Sequence, residues 1–507
     1  MGQERIQIFI AAPKTMTAQI VWGTAYLTTA LTLALTCVVA LGFLLHLGSS
    51  VRRELLPLTL LAILVATMVA PLVTGRVIDR GTLMLGDVVE NVYSSFWVNR
   101  LITLGVLALC VERILRFLIR HEWASVRGWG LFWAFVVFIL SNQIANGIFG
   151  SHPFFDHKYL YAFPVYFGFF LVAQTQAEFC LRFARDSLLL FFVCSVLGAV
   201  IMPQAVIETG YSGFLPGIPV RYHGLGTHAN GIGPLAVALV ICLWRFPYHS
   251  CKLNRFSWFL VLISLLLSQS KTSIITAGVV GILLALYNYE GRKNSSPRSS
   301  LFIAITGSFC LLLSGVIAMV WLGIDAGQKF IDQLDVHDGH SVATLTGRTW
   351  IWLLSWQEFM ASPIFGYGPS IWGPAYRESV GMLIAPHAHN QLMQSLSSGG
   401  LVGALGLSFY TVTLTMYAIR AAKRSKGMSL AFVALMLIRS ITETPFNSLS
   451  VIQLEFFVQL LAMVACIGFL PEKETGHLSS IQPENRRKAG TTMRTQRGGA
   501  DGTTSAA

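Results

Sequence analysis

Residues Thr346–Gly403 read TGRTWIWLLSWQEFMASPIFGYGPSIWGPAYRESVGMLIAPHAHNQLMQSLSSGGLVG. The stretch is polar and aromatic, and it closes the longest non-hydrophobic interval between apolar runs. An arginine follows a glycine at its start, and a Pro- and Gly-rich turn runs from Pro363 to Gly368. It ends at His387, His389 and Asn390, where the next apolar run begins. Long loops in compact proteins are usually functional or disordered. This one is too rich in Trp, Tyr and Phe for disorder. It reads as an active-site loop on a membrane surface. Within it, Trp352, Trp356 and Phe359 recur at helical spacing and Pro363 supplies a stop, which predicts a helix over 349–362 with an aromatic membrane-facing side.

Composition supplies the membrane. Of 507 residues, 54% are hydrophobic and only 12% charged, against about 25% charged in ordinary soluble proteins. Mean hydropathy is +0.62. Apolar runs near ~20 residues predict an all-α polytopic membrane protein with about 12–13 transmembrane helices. One long extracytoplasmic loop carries short helices. The period-2 alternation of a membrane β-barrel is missing. The start of the chain lacks the pattern of a cleavable leader. The net charge of +12 sits mostly in short loops between spans, which argues for membrane orientation and against nucleic acid. The eight cysteines form no disulfide or metal pattern.

In order, the runs are Ile20–Leu47, Leu55–Val73, Tyr93–Val111, Gly128–Ile148, Tyr159–Ala173, Ser187–Met202 and Ala229–Trp244. Trp258–Gln269, Ser273–Tyr287, Leu301–Leu322, Gln391–Tyr417, Met428–Ile441 and Leu449–Leu470 follow. Basic connections at Arg52–Arg53, Arg113–Arg127, Arg182/Arg185, Arg245–Arg255, Arg292–Arg298 and Arg420–Lys426 mark the cytoplasmic side. The expected organisation is an N-terminal segment 1–19, helices 1–10 over 20–323, the outer loop 324–390, C-terminal helices 391–470 and a disordered cytoplasmic tail 471–507. No repeat or matched pair of broken helices points to a transporter.

Three outward cations stand where the positive-inside rule does not put them: Arg221 in VRYHGLGTHANGIG, Lys271 in SQSKTS and Arg348 in TGRTW. Together they suit an anion clamp for a pyrophosphate, since Arg grips phosphate bidentately and Lys acts as a point charge. Headgroup anchoring or a local carboxylate pair explains each equally well. His389 has the chemistry of a general base, with Asn390 to orient it or the substrate. The same four residues, 387–390, also suit a helix cap. A metal at the two histidines lacks a neighbouring Asp, Glu or Cys in sequence. His223, His228 and Asn230 suggest a second polar rim, or plain loop polarity. Asp325, Asp332, Asp335 and Asp338 read as a solvated lead-in. Glu443, at the outer end of a span, is costly there unless paired or used. It is expected to pair with one of the cations or assist His389.

These motifs resemble the O-antigen ligase and Wzy-type polymerase superfamily, including exopolysaccharide polymerases. The carrying residues are Arg221-x-x-Gly224 with His228 and Asn230, SQSKTS (268–273), TGRTWIW (346–352), SPIFGYG (362–368), AHNQL (388–392) and GGLVG (399–403). Their order covers about 20–470. The resemblance implies metal-independent, inverting glycosyl transfer, without cofactor, from an undecaprenyl-pyrophosphate-linked oligosaccharide. The acceptor is a glycan or lipid A core. The setting implied is the bacterial inner membrane and its lipids, with the site facing the periplasm and other polysaccharide-assembly proteins as partners. It implies His389 as base and Arg221 and Arg348 as clamp. Lys271 stands where the family usually has Arg. Ser398 stands where many members have an acidic residue. Trp372 after the GYG turn looks more like a polymerase than a lipopolysaccharide ligase. Polymerisation of repeat units is the expected function. Ligation to lipid A core is one alternative, and a lipid-linked glycan transporter is the alternative from another class.

Overall fold

The computed structural model describes residues 55–73, 76–78, 96–121, 123, 126–211, 215, 218–290, 345–382, 385–447 and 450–471. The segment 1–19, the runs at 20–47 and 301–322, the acidic lead-in 325–338 and the tail 472–507 lie outside them. The helices are α1 (Leu58–Val73), α2 (Phe96–Arg120), α3 (Trp129–Ile139), α4 (Ala162–Ile201), α5 (Ala229–Arg245), α6 (Cys251–Leu267) and α7 (Lys271–Glu290). After these come α8 (Leu345–Ala361), α9 (Pro374–Ser379), α10 (Gln391–Ser425), α11 (Met428–Arg439) and α12 (Leu454–Gly468). The chain is an all-α polytopic membrane protein. Among the described residues, Trp129–Phe149, His157–Ile201 and Gln391–Ser425 are long and apolar enough to cross a membrane, and five shorter apolar helices accompany them.

The core forms where apolar residues go all round a helix. α12 is buried on every face, from Leu454 to Ile467 apart from Glu455, and it packs chiefly against α4. A helix with no polar stripe has no face to offer water. Within this core Gln459 donates to the Tyr410 hydroxyl at 3.0 Å, which removes a lone buried amide.

Several boundaries differ from expectation. Arg182 and Arg185 are helical rather than in a loop, because α4 is written through from Ala162 to Ile201. The expected pair of spans survives as a break: Gln176 has φ −133° and ψ 26°, outside helical space. α2 runs on past Val111 to Arg120, since its Arg and Glu residues are good helix formers and Glu112 pairs with Arg116 one turn on. A two-stranded antiparallel ladder, β1 (Ile207–Thr209) with β2 (Val220–Tyr222), was not anticipated in the outer connection.

Charge sorts the two ends of the bundle. Arg127 and Arg424 both donate to the Leu470 carbonyl, at 3.1 and 3.0 Å. Gln174 donates to the Arg127 carbonyl at 2.9 Å, and Arg245 pairs with Glu178 at 3.3 Å one turn further along α4. Arg127, Arg245 and Arg424, from three of the basic connections, therefore share one end. Arg221, Arg348, His389 and Glu443 gather away from it.

Candidate active site at the polar end of the bundle

The tripeptide Ala388-His389-Asn390 is fixed from three sides. Trp352 of α8 donates its indole N–H to the Ala388 carbonyl at 2.9 Å, and the Gln394 side chain accepts from Ala388 N–H at 2.9 Å. Asn390 caps α10 by accepting from Met393 N–H at 3.1 Å, while its NH2 donates to the Ile441 carbonyl at 3.1 Å. Gln391 N–H donates to the Ser440 carbonyl, and Phe446 N–H donates to the Gln391 side chain, both at 2.9 Å. The AHNQL motif thus staples the 440–446 turn to the head of α10. Asn390 is the helix cap that residues 387–390 suited, and a staple to the Ile441 carbonyl as well. One expectation changes. Trp352 turns inward. The exposed apolar stripe of the α8 segment is Trp350, Leu353, Trp356, Met360 and Ile364 instead.

His389 sits at φ +49°, a left-handed conformation that costs a non-glycine residue on the order of 1–3 kcal/mol. The surrounding staples hold it there. The strain aims the ring at Glu443, which is the hub of the site. Glu443 Oε2 lies 3.2 Å from His389 Nδ1 and 3.5 Å from His387 Nε2. Its Oε1 accepts from Asn230 Nδ2 at 2.8 Å and faces Arg348 Nη2 at 3.6 Å. Burial alone would raise this carboxyl. The His389 hydrogen bond, the two imidazoles and the Arg439 guanidinium outweigh burial and hold it well below the usual carboxylate range. His387 is pushed down to about 3, first by enclosure and then by His389, Arg439 and Arg348 against the pull of Glu443. It is uncharged at neutral pH.

Arg221 joins this hub through one residue. Its Nη2 donates to Asn230 Oδ1 at 2.8 Å, and its Nε donates to the Ser268 carbonyl at 3.2 Å. Gln269, at φ +50°, reaches back to the Val220 carbonyl at 2.7 Å. The VRYHG and SQSKTS motifs therefore meet at one corner. Lys271 heads α7 there with its side chain exposed. Among the described residues it makes no ion pair. Its neighbour Thr272 bonds Thr442 at 3.0 Å, beside Glu443.

Four further groups build the site. Arg76 donates to the carbonyls of Ala205, Gly224 and Gly226. That grip ties the Arg221 loop to the end of α1. Arg439 donates to the Asn230 carbonyl at 3.1 Å and pairs with Glu455 at 3.2 Å. Both lie at the same end of the bundle as Arg221 and Arg348, so the criterion that selected those also selects them. His223 and Glu208 form a buried pair at 3.0 Å, visible only once β1 lies on β2. His387 was in view, without a partner.

The expectation that no carboxylate stands beside the histidine pair is corrected by the fold. His387, His389 and Glu443 place three ligand atoms within 4.8 Å of one another. These are the residues that could hold a metal ion. His387 Nδ1 accepts from His389 N–H at 3.1 Å, so its Nε2 carries the proton toward Glu443. His389 likewise offers Nδ1–H to the carboxylate. With both facing nitrogens donating to the carboxylate, a metal ion bound here would have to displace those protons.

The remaining motifs brace the site. α10 breaks at Gly400, with φ +60° and ψ −152°, a conformation reserved for glycine. The break frees the Ser397 and Ser398 carbonyls, which accept from Tyr367 N–H at 2.8 Å and Gly368 N–H at 3.0 Å. Leu401 and Val402 N–H donate to the Pro363 and Ile364 carbonyls at 2.8 and 3.1 Å. A Cβ on Gly366 would come within 2.6 Å of the Gly399 nitrogen. From the other side the chain after α3 forms a wider turn, Leu140–Ala145, and Asn146 donates to the Ser398 carbonyl at 3.0 Å. SPIFGYG and GGLVG are thus two halves of one backbone clasp, and Ser398 serves it by its carbonyl.

A family model described as O-antigen ligase (Wzy_C) matches residues 256–408. Over 161 residues the chain is 30% identical to the exopolysaccharide production protein ExoQ of Rhizobium meliloti strain 1021, a match covering 29% of this chain and 34% of that protein. These matches support an O-antigen ligase/Wzy-type family. The chain matches about a third of the relative's length. The O-antigen ligase match runs from α6 into α10 and takes in Lys271, Arg348, His389 and the clasp. Arg221, Asn230 and Glu443 lie outside it and reach the site through the fold.

Proposed function

We propose that the protein transfers a glycan from undecaprenyl pyrophosphate to a sugar hydroxyl at the outer face of the inner membrane, polymerising exopolysaccharide or O-antigen repeat units. The observation that carries this reading is the Glu443 hub. One carboxylate orients His389 and, through Asn230 and directly, touches Arg221 and Arg348. The base and two of the three clamp cations are joined by hydrogen bonds and one ion pair.

The geometry supports a division of labour. With Nδ1–H given to Glu443, the neutral His389 ring keeps its Nε2 lone pair for a substrate proton. The acceptor hydroxyl gives its proton to Nε2 as its oxygen attacks the anomeric carbon. The bond from that carbon to the pyrophosphate oxygen breaks on the opposite face, which inverts the centre. Undecaprenyl pyrophosphate leaves with its charge against Arg221, Lys271 and Arg348. Preorganised donors at a developing charge contribute roughly 100- to 1000-fold each. The guanidinium groups supply that charge, so the step as written uses no metal.

The test is transfer by purified protein from an undecaprenyl-pyrophosphate oligosaccharide, with a second lipid-linked unit or lipid A core offered as acceptor. A product ladder made by wild type and not by His389→Ala supports the polymerase. A single addition to lipid A core moves the protein to the ligase branch with the same chemistry. Flipping of the lipid without either product would establish the transporter instead.

A further inference from the structure

His228 precedes α5 with its side chain exposed. Its Nδ1 is not free. It accepts from Asn230 N–H at 3.1 Å, capping the helix as an Asn or Asp side chain would. A neutral ring that accepts at Nδ1 carries its proton at Nε2. Protonating Nδ1 would set two N–H groups head to head, beside the Arg221 charge. The tautomer is therefore fixed, and it is opposite to that of His389. His389 gives Nδ1–H to Glu443 and keeps Nε2 as an acceptor. His228 spends Nδ1 and keeps Nε2–H as a donor. The two rings border one site: Asn230, two residues on from His228, donates to Glu443, which His389 faces at 3.2 Å. The His223 ring packs edge-on against it at 5.3 Å between centroids, and Glu208 anchors His223 from behind at 3.0 Å.

We propose that His228 is an uncharged hydrogen-bond donor, through Nε2–H, to a pyrophosphate oxygen of the lipid-linked donor substrate. This rests on the proposed transfer reaction and gives one of its ligands a defined atom. No proton moves: the bond strengthens as negative charge grows on the leaving oxygen. Three cations supply charge, and His228 supplies direction from the helix that also carries Asn230. A cation in its place would add to the repulsion among the basic groups in the apo site. A neutral donor does not.

The test turns on His228→Asn. Asparagine caps a helix well through Oδ1, so the fold is kept while the donor at the position of Nε2 is lost, the asparagine NH2 ending nearer the backbone. The expected result is an unchanged thermal midpoint in detergent and transfer reduced about 100-fold, as for other lost donors to a developing charge. Binding of undecaprenyl pyrophosphate, measured by calorimetry, weakens as well, while acceptor KM stays at the wild-type value. His228→Gln, whose terminal NH2 reaches the position of Nε2, recovers part of both. Wild-type transfer and binding in His228→Asn would make His228 a cap alone and overturn the proposal. If wild type binds the lipid but transfers nothing, the reaction reading fails, and the binding difference still decides the role of His228. If wild type does not bind the lipid, both readings fall.

Discussion

Nδ1 of His389 lies 3.2 Å from Oε2 of Glu443, across 54 residues of sequence and the whole of α10 and α11. The pair is held by backbone staples on both partners, and the imidazole is placed at a strained φ to make it. Exchange at either end is therefore informative.

His389→Ala is expected to lower transfer by roughly 100- to 10,000-fold, the usual range for a positioned base. Glu443→Gln should approach that loss while keeping shape. The Gln NH2 facing Nδ1 would draw the lone pair there and leave a proton on Nε2. Transfer kinetics on both variants check this, and a Glu443→Gln enzyme at wild-type rate would falsify the orienting role.

Arg348 offers a planar fork to a pyrophosphate, and Glu443 lies 3.6 Å from one of its nitrogens. Arg348→Lys keeps the charge and loses the fork. The expectation is a loss of about 10-fold or more in kcat/KM, with Arg348→Ala losing about 100- to 1000-fold. Equal rates for Lys and Arg at this position would show that charge alone suffices.

Gly400 holds the clasp. A Cβ there would sit 2.5 Å from the Ile364 carbonyl carbon and oxygen, at a backbone angle that alanine resists. Gly400→Ala should cost about 1–3 kcal/mol or more, read as a lower thermal midpoint in detergent. Ser398→Ala removes only a hydroxyl bonded to the Gln394 carbonyl and should be nearly silent, because the clasp uses the Ser398 backbone. A reversed order would place the strain elsewhere.

In the proposed step the basic side chains supply the charge, so a chelator should leave the rate of transfer unchanged. Transfer assays of protein dialysed against EDTA, with and without added divalent cations, check this. A rate that falls on chelation and returns with one cation would put a metal at the histidine–glutamate cluster.

Burial first, then the Arg221 and Arg76 charges, lower the His223 pKa against the opposing pull of Glu208. An unfolded His223 titrates near ~6.5. Below that value the unfolded chain takes up the proton before the folded one, so acid destabilises the outer loop. Above it the group has no effect. The thermal midpoint of wild type should therefore fall more steeply from pH 7 to pH 5 than that of His223→Gln. Parallel slopes would remove His223 from the account.

The membrane class of the fold was legible because hydrophobicity is local: a run of apolar residues declares itself without knowledge of its neighbours. The helix over 349–362 was legible from its stop signal and spacing. Arg221, Arg348, His389 and Glu443 were legible as outward polar groups at span ends. Arg76 and Arg439 carried the same signal. Their roles were hidden because what each grips at the site is backbone, and carbonyls have no letter in a sequence.

By itself, then, the sequence determined that this chain crosses a membrane many times and keeps its chemistry-bearing side chains at one end. Tertiary structure decided which of them touch. It set Glu443 under His389, spent Asn390 on a cap, turned Trp352 inward and made SPIFGYG and GGLVG one clasp. The physical reason is range. Burial and helix periodicity act over a few neighbours along the chain, whereas a hydrogen bond needs two atoms within about 3 Å. Only packing brings residues 230, 389 and 443 that close.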